Sequence, residues 1–326
     1  MLVLARRHVE QVLDIDSTIA AVETAFAEFA RGRTLSPLRT VLHLDEADGD
    51  IFIMPAYIPA LASMATKIVS VVPTNPKTAG LPTTIGAVLL NDAKTGAPLC
   101  LMDGSWLTAV RTGAVSAVAA KYLARPDSRT VALMGCGAQG RTQALAVSRV
   151  LPIEEILVFD LDSDRAAGLA AELTSRTGIM AQAVSKAEDA ARKADVVLCA
   201  TTSRQPVVLG EWTRPGTFVS SVGSYLPEMR EVDAALVRSA KVVVDSRETA
   251  LSEAGDLIIP LERGEISPDH IFAELGEVII GSRPGRQSGD ELVFFKSVGM
   301  AIQDAAAARK AYEGAVKAGI GTRVDL

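Results

Sequence analysis

Three glycines and one acid in this chain have the types and spacing to hold a charged ligand. Gly135, Gly137 and Gly140 form a G-x-G-x-x-G run, and Asp160 lies twenty positions beyond the last of them. Glycines there let the backbone turn sharply and approach a diphosphate, and the N–H groups and positive dipole end of a following helix neutralise it without a side-chain cation. A side chain on Gly137 would block that approach. An aspartate ending the next strand accepts hydrogen bonds from both hydroxyls of an adenosine ribose and repels a 2′-phosphate. The pattern therefore selects a dinucleotide, NAD(H) ahead of NADP(H). Arg165, five residues beyond Asp160, is the group that could instead receive a 2′-phosphate.

A glycine run also occurs at ordinary strand-to-helix turns, so its surroundings decide. Here TVALM precedes the glycines, a helical stretch follows, and EILVFD ends on Asp160. From Thr130 onward, TVALM, ILVFD, MAQAV, DVVLCAT, TFVSSVG and KVVVDS alternate with helical segments such as DRAAGLAAELTSRTG. That alternation predicts a Rossmann doubly wound parallel sheet of six strands in an α/β fold. Ligands of such sheets bind beyond the carboxyl ends of the strands, so the loops holding Thr201 and Thr202, and Ser224 and Tyr225, should overhang the site.

The N-terminal part reads differently. A helix over DSTIAAVETAFAEFARG stops at Gly32, and RTVLHL, DIFIMPAY, MATKIVSVV and TIGAVLLND follow as strands between Pro and Gly turns. An α+β domain over residues 1–124 is expected, completed by the alanine-rich helix within 299–326, with the dinucleotide domain over 125–298.

Composition narrows the partners. Hydrophobic residues at 48% and charged residues at 22% suit a soluble globular chain, and a net charge of −6 disfavours nucleic acid or an acidic membrane surface. No apolar run is long enough to span a bilayer, and MLVLARRHVEQVLDID lacks the form of a signal peptide, so the cytoplasm is expected. Cys100, Cys136 and Cys199 have no metal spacing, and His8, His43 and His270 are scattered, so no metal is expected. Arg111 lies in LTAVRTG among small apolar residues, where a lone charge is costly to bury and a functional partner is anticipated.

The block PTNPKTAGLPTTIGAVLLNDAKTGAPLCLMDGSWLTAVRTGAVSAVAAKYLAR, the runs SVGSYLPEMREVD and IFAELGEVIIG, and the terminal FKSVGMAIQD closely resemble the ornithine cyclodeaminase and mu-crystallin family over nearly the whole chain. The resemblance implies an enzyme that handles an α-imino or α-amino acid beside a nicotinamide. It implies that Arg39, Lys67 and Arg111 grip the substrate carboxylate, which suits the strength of charge-assisted and bidentate pairs. It places Thr83, Arg111, Thr112, Ala138, Gln139, Asp160, Thr201, Val222, Gly223, Ser224 and Ser297 at the cofactor with the three glycines, and Val298 at the substrate. It also implies a homodimer formed through the first domain.

One departure bears on the reaction. Cyclodeaminases of the family carry a Glu in the strand before a Met-Pro pair and an Asp two residues after the loop glycine; Phe52 and Tyr225 stand there in this chain. Without those carboxylates the pocket suits an apolar or cyclic remainder rather than a second ammonium. The expectation is an NADH-dependent reductase of cyclic ketimine carboxylates, Δ1-pyrroline-2-carboxylate or its six-membered homologue. Lys67 or a bound water would be the acid if one is needed, with Tyr225 behind them. The alternatives are an alanine-dehydrogenase-type enzyme, a cyclodeaminase, and a non-catalytic dinucleotide-binding protein.

Overall fold

The computed structural model describes residues 1–325. In chain order the elements are β1 (Leu2–Leu4), α1 (Arg6–Val12), α2 (Ile15–Ala30), β2 (Thr40–Leu44), β3 (Gly49–Ile58), β4 (Ser63–Val71), α3 (Asn75–Thr78), β5 (Thr84–Asn91), β6 (Pro98–Asp103) and α4 (Gly104–Leu123). Next come β7 (Thr130–Met134), α5 (Ala138–Val147), β8 (Glu155–Phe159), α6 (Ser163–Thr177), β9 (Met180–Ala183), α7 (Ala187–Lys193), β10 (Val196–Cys199), β11 (Phe218–Ser221), α8 (Ala234–Ser239) and β12 (Lys241–Val244). The chain closes with α9 (Arg247–Glu253), α10 (Gly255–Glu262), β13 (Ile271–Glu274), α11 (Leu275–Ile279), β14 (Val293–Lys296), α12 (Ala301–Ala318) and β15 (Thr322–Arg323). Two compact units result, Met1–Arg111 with Met300–Leu326, and Thr112–Gly299.

The first unit is a mixed sheet in the order β15-β1-β6-β5-β4-β3-β2. Alternation fixes its two faces. Phe52, Met54, Ala56 and Ile58 of β3 and Ala65, Lys67 and Val69 of β4 point to the inner face, against which α12 packs, with α2 in turn packed on α12. The Ser63 hydroxyl donates to the Ala305 carbonyl over 2.7 Å, tying β4 to α12. The α2 helix starts where the Asp14 carboxylate accepts from the Ser17 N–H, and it ends before Gly32, whose φ of 68° suits a residue without Cβ. Beyond the four strands read from sequence, β1, β6 and β15 also join this sheet.

The second unit is a parallel sheet, β13-β12-β14-β11-β10-β7-β8-β9, with eight strands among the described residues rather than six. The run β9-β8-β7-β10-β11 is the doubly wound order, and the topological switch lies between β7 and β10. Two four-residue strands, β13 and β14, account for the difference, and β14 inserts between β11 and β12. They are no shorter than β9 to β12, but the regular alternation of strand and helix that marks those strands ends at β12: two helices precede β13, and only the five-residue α11 lies between β13 and β14. Their side chains are nonetheless core: Phe294 and Phe295 are fully buried.

Candidate active site

In the second unit the glycine turn joins β7 to α5. Gly135 has φ of 100°, and a Cβ on it would stand 2.5 Å from the Ala200 carbonyl oxygen. A Cβ on Gly140 would stand 2.0 Å from the Gly135 carbonyl oxygen, so both positions exclude any side chain. Gly137 differs. It is the N-cap of α5, no side chain caps that helix end, and a Cβ there would meet nothing within 4 Å. The space above this ten-residue helix is open, as a diphosphate held by backbone N–H groups requires. Ala138 is exposed and Gln139 half-buried at the start of the helix.

Asp160 directly follows β8 beside this turn. Its Oδ2 accepts from the Cys136 N–H at 2.7 Å and its Oδ1 from the Asp162 N–H at 3.0 Å. Partial burial would raise its pKa, but those N–H groups and the Arg165 charge outweigh it and hold the carboxyl below its usual range. An ionised carboxylate with one N–H on each oxygen keeps lone pairs for two ribose hydroxyls. Burial, reinforced by Asp160, pushes the Cys136 thiol up to about 12, so it is no nucleophile.

The hydroxyls expected at the cofactor turn inward instead. Thr201 donates to Glu231 over 2.9 Å, Ser224 to Asp256 over 2.7 Å and Ser297 to Asp245 over 2.8 Å. Asp245 also accepts from the Val298 and Gly299 N–H groups, so it fixes the loop after β14. Val222, Gly223 and the half-buried Tyr225 lie in the loop after β11, and Thr112 is buried in α4.

The first unit holds a separate charge cluster. Lys67 from β4, Arg111 from α4 and Asp304 from α12 are 2%, 5% and 1% exposed, so two buried cations face one buried carboxylate. Asp304 Oδ2 is 2.8 Å from Lys67 Nζ and Oδ1 is 3.0 Å from Arg111 Nε. The Lys67 ammonium is within hydrogen-bond range of Asp304 Oδ2, whereas Arg111 Nε and Asp304 Oδ1 are not aligned for a hydrogen bond. Gln303, next to Asp304, accepts from Arg111 Nη1. Burial brings the Lys67 ammonium down to about 7; Arg111 and Arg39 add to that effect, and Asp304 opposes it. The Arg39 guanidinium lies 5.1 Å from the centre of the Phe52 ring, a cation–π distance, and Phe52 shares the inner face with Lys67. Thr83, whose carbonyl accepts from Val72, is half-buried just before β5.

The arrangement thus brings Lys67, Arg111, Arg39 and Phe52 into one unit, and Gly135 to Gly140, Asp160, Thr201, Gly223, Ser224, Tyr225, Ser297 and Val298 into the other. Asp304, Gln303, Glu231, Asp256 and Asp245 are not evident from sequence. For Asp304 a signal exists: it shares a helical face with Ala308, Ala311 and Ala315, all buried, where an acid needs a cation. No cluster of metal-ligating residues occurs among the described residues.

A doubly wound sheet whose glycine turn and terminal acid are arranged in this way defines a dinucleotide-linked oxidoreductase. The chain belongs to the ornithine cyclodeaminase/mu-crystallin family, whose sequence model matches residues 1–319. It is similar to a Δ1-pyrroline-2-carboxylate reductase of Bacillus cereus, with 37% identity over 327 aligned positions covering 100% of both chains. Among solved structures it resembles the Thermococcus litoralis Δ1-pyrroline-2-carboxylate reductase in complex with NADH and L-proline, with a TM-score of 0.96, 45% identity and coverage of 99% of this chain and 100% of that one. An archaeal alanine dehydrogenase dimer with bound NAD gives a TM-score of 0.94 at 36% identity, covering 100% of this chain and 99% of that one.

Proposed function

We propose that this chain is an NADH-dependent reductase of cyclic ketimine carboxylates, with Δ1-pyrroline-2-carboxylate as substrate and L-proline as product. The observation that carries the reading is the buried pair of cations, Lys67 and Arg111, sharing a single carboxylate, Asp304. Such a cluster has positive charge left over for one small anion, and Arg111 Nε has no aligned acceptor. A substrate carboxylate supplies both needs. The full-length likeness to two pyrroline-2-carboxylate reductases supports the same substrate class.

In this reading Arg111, Arg39 and Lys67 bind and orient the carboxylate, and Phe52 lies beside the ring. The nicotinamide, when bound, supplies a hydride to the imine carbon. The ring nitrogen takes a proton, and Lys67, with a pKa of about 7, is the group that can hold and release one near neutral pH. The glycine turn and the N-terminus of α5 bind the diphosphate, Asp160 takes the adenosine ribose, and the loops carrying Thr201, Val222 to Ser224 and Ser297 border the rest of the cofactor. The site chemistry is positioning and electrostatics in a largely dry setting.

The test mixes the protein and NADH with pyrroline-2-carboxylate, with pyruvate and ammonia, and separately ornithine with NAD⁺, following absorbance and ammonia. NADH oxidation by the cyclic imine should dominate. Dominant turnover of pyruvate and ammonia would restore the alanine-dehydrogenase reading, which the archaeal relative supports. Comparable ammonia release from ornithine would restore the lyase.

The working form is a cytoplasmic homodimer through the outer face of the first sheet. There Leu42 and Ile51, Ile53 and Ile68, and Leu89 and Leu101 sit side by side across the strands, and Ile68 is 52% exposed. An apolar sheet face of that extent suits a second copy of itself. Ile68→Lys should halve the mass measured by light scattering; an unchanged mass overturns this interface.

A further inference from the structure

The loops after β10 and β11 are joined through a buried carboxylate that the reaction described above does not use. Glu231 is fully buried. Its Oε1 accepts from the Thr201 N–H at 2.5 Å and the Thr201 hydroxyl at 2.9 Å. Its Oε2 accepts from the Gly223 N–H and the Ser221 hydroxyl, each at 2.7 Å. The loops touch at this point: a Cβ on Gly223 would stand 2.0 Å from the Thr201 carbonyl oxygen and 2.5 Å from Glu231 Oε1. The glycine turn abuts the same loop through Gly135 and Ala200.

A second acid sets the first in place. Asp256 Oδ1 accepts from the Glu231 and Val232 N–H groups at 2.6 and 3.1 Å, and its Oδ2 lies 3.2 Å from Lys296 Nζ. Two carboxylates therefore share one ammonium in the interior. Burial pushes the Glu231 carboxyl up, with Lys296 opposing and Asp256 adding to the effect. An acid is expensive to keep there. It is the side chain that can accept from four donors at once; an amide, which presents donors of its own on one side, cannot.

The bridged loops sit at the carboxyl ends of the strands on one side of the switch between β7 and β10, while Asp160 ends a strand on the other side. In a doubly wound sheet each side binds one half of a dinucleotide. We propose that Glu231 is a positioning residue for the nicotinamide half of the cofactor, setting the two loops against each other without touching the ligand. The proposal rests on the dinucleotide reading given above.

Glu231→Gln tests it well, because removing one of the two acids leaves Asp256 and Lys296 as a balanced pair. In the full chain the NADH dissociation constant, read by fluorescence, should rise about tenfold, the worth of roughly one hydrogen bond. The AMP dissociation constant, a probe of the half held by Asp160, should stay within about twofold. Unchanged NADH affinity in the folded variant, or equal weakening of NADH and AMP, overturns the proposal. Should Glu231→Gln not fold, Ser221→Ala removes one donor to Glu231 Oε2 and lies at no cofactor position; it should weaken NADH about threefold and leave AMP alone. No change in NADH affinity there overturns the proposal equally. Failure of the unaltered protein to bind NADH at all would instead remove the cofactor reading itself.

Discussion

Asp304 Oδ2 lies 2.8 Å from Lys67 Nζ, and both side chains are buried, one on the last long helix and the other on the fourth strand. The carboxylate is the group that keeps a proton on Lys67 against burial and against Arg111 and Arg39. Since kcat/KM reports the free enzyme, its value for imine reduction should be level below pH 7 and fall above it, as Lys67 loses its proton around 7. Asp304→Asn removes the opposing charge, so the falling limb should move to lower pH. A pH profile of the variant superimposable on that of the parent would remove Lys67 as the titrating group.

Arg111→Met should lower kcat/KM for pyrroline-2-carboxylate by on the order of 3 kcal/mol, because it deletes a desolvated charge-assisted donor. The Gln303 amide oxygen and Asp304 Oδ1 lose the same partner. Steady-state kinetics with the imine varied at saturating NADH checks this, and parent-like constants would take Arg111 out of the site.

Asp160 is held ionised by the N–H groups of Asp162 and Cys136 together with Arg165. NADH should therefore be used with higher catalytic efficiency than NADPH, and Asp160→Ala should narrow the ratio by about tenfold by removing the ribose acceptor and the repulsion of a 2′-phosphate. Equal efficiencies in the parent would mean that Arg165 already admits the phosphate.

Gly137 and Gly140 should respond in opposite ways to alanine. The Gly137 Cβ meets no protein atom within 4 Å, so Gly137→Ala should leave the melting temperature near that of the parent while NADH affinity drops. The Gly140 Cβ would stand 2.0 Å from the Gly135 carbonyl oxygen, so Gly140→Ala should destabilise the fold by about 1–3 kcal/mol. Calorimetry beside NADH titration separates the two; intact NADH binding by Gly137→Ala would mean that the space above α5 is not the diphosphate site.

Much of this was legible in the chain because its signals are local. The strand, turn, helix and strand from Thr130 to Phe159 follow one another, so the doubly wound sheet and its glycine turn follow from contiguous patterns. The additions at β13 and β14 lie beyond β12, where strand and helix no longer alternate regularly. The buried acids were hidden for another reason. Nothing near Glu231 or Asp256 in sequence announces burial, and their donors come from Thr201, Gly223, Ser224 and Lys296, brought near by the sheet. Phe52 and Lys67 could be placed on one face by alternation, but their relation to Asp304 joins residues more than two hundred positions apart.

The return of α12 to the first sheet gives chain synthesis a direction. A ribosome that has delivered residues 1–299 has supplied every strand of the second unit but neither α12 nor β15 of the first. The second unit can settle while the first waits with Ala65 and Val69 facing water and with Lys67 and Arg111 lacking their counterion. Arrival of Ala301–Ala318 buries that face and installs Asp304 in one event. The cationic cluster is thus assembled only once α12 has emerged, and a chain ended just before residue 300 holds the whole dinucleotide unit but no counterion for Lys67 and Arg111.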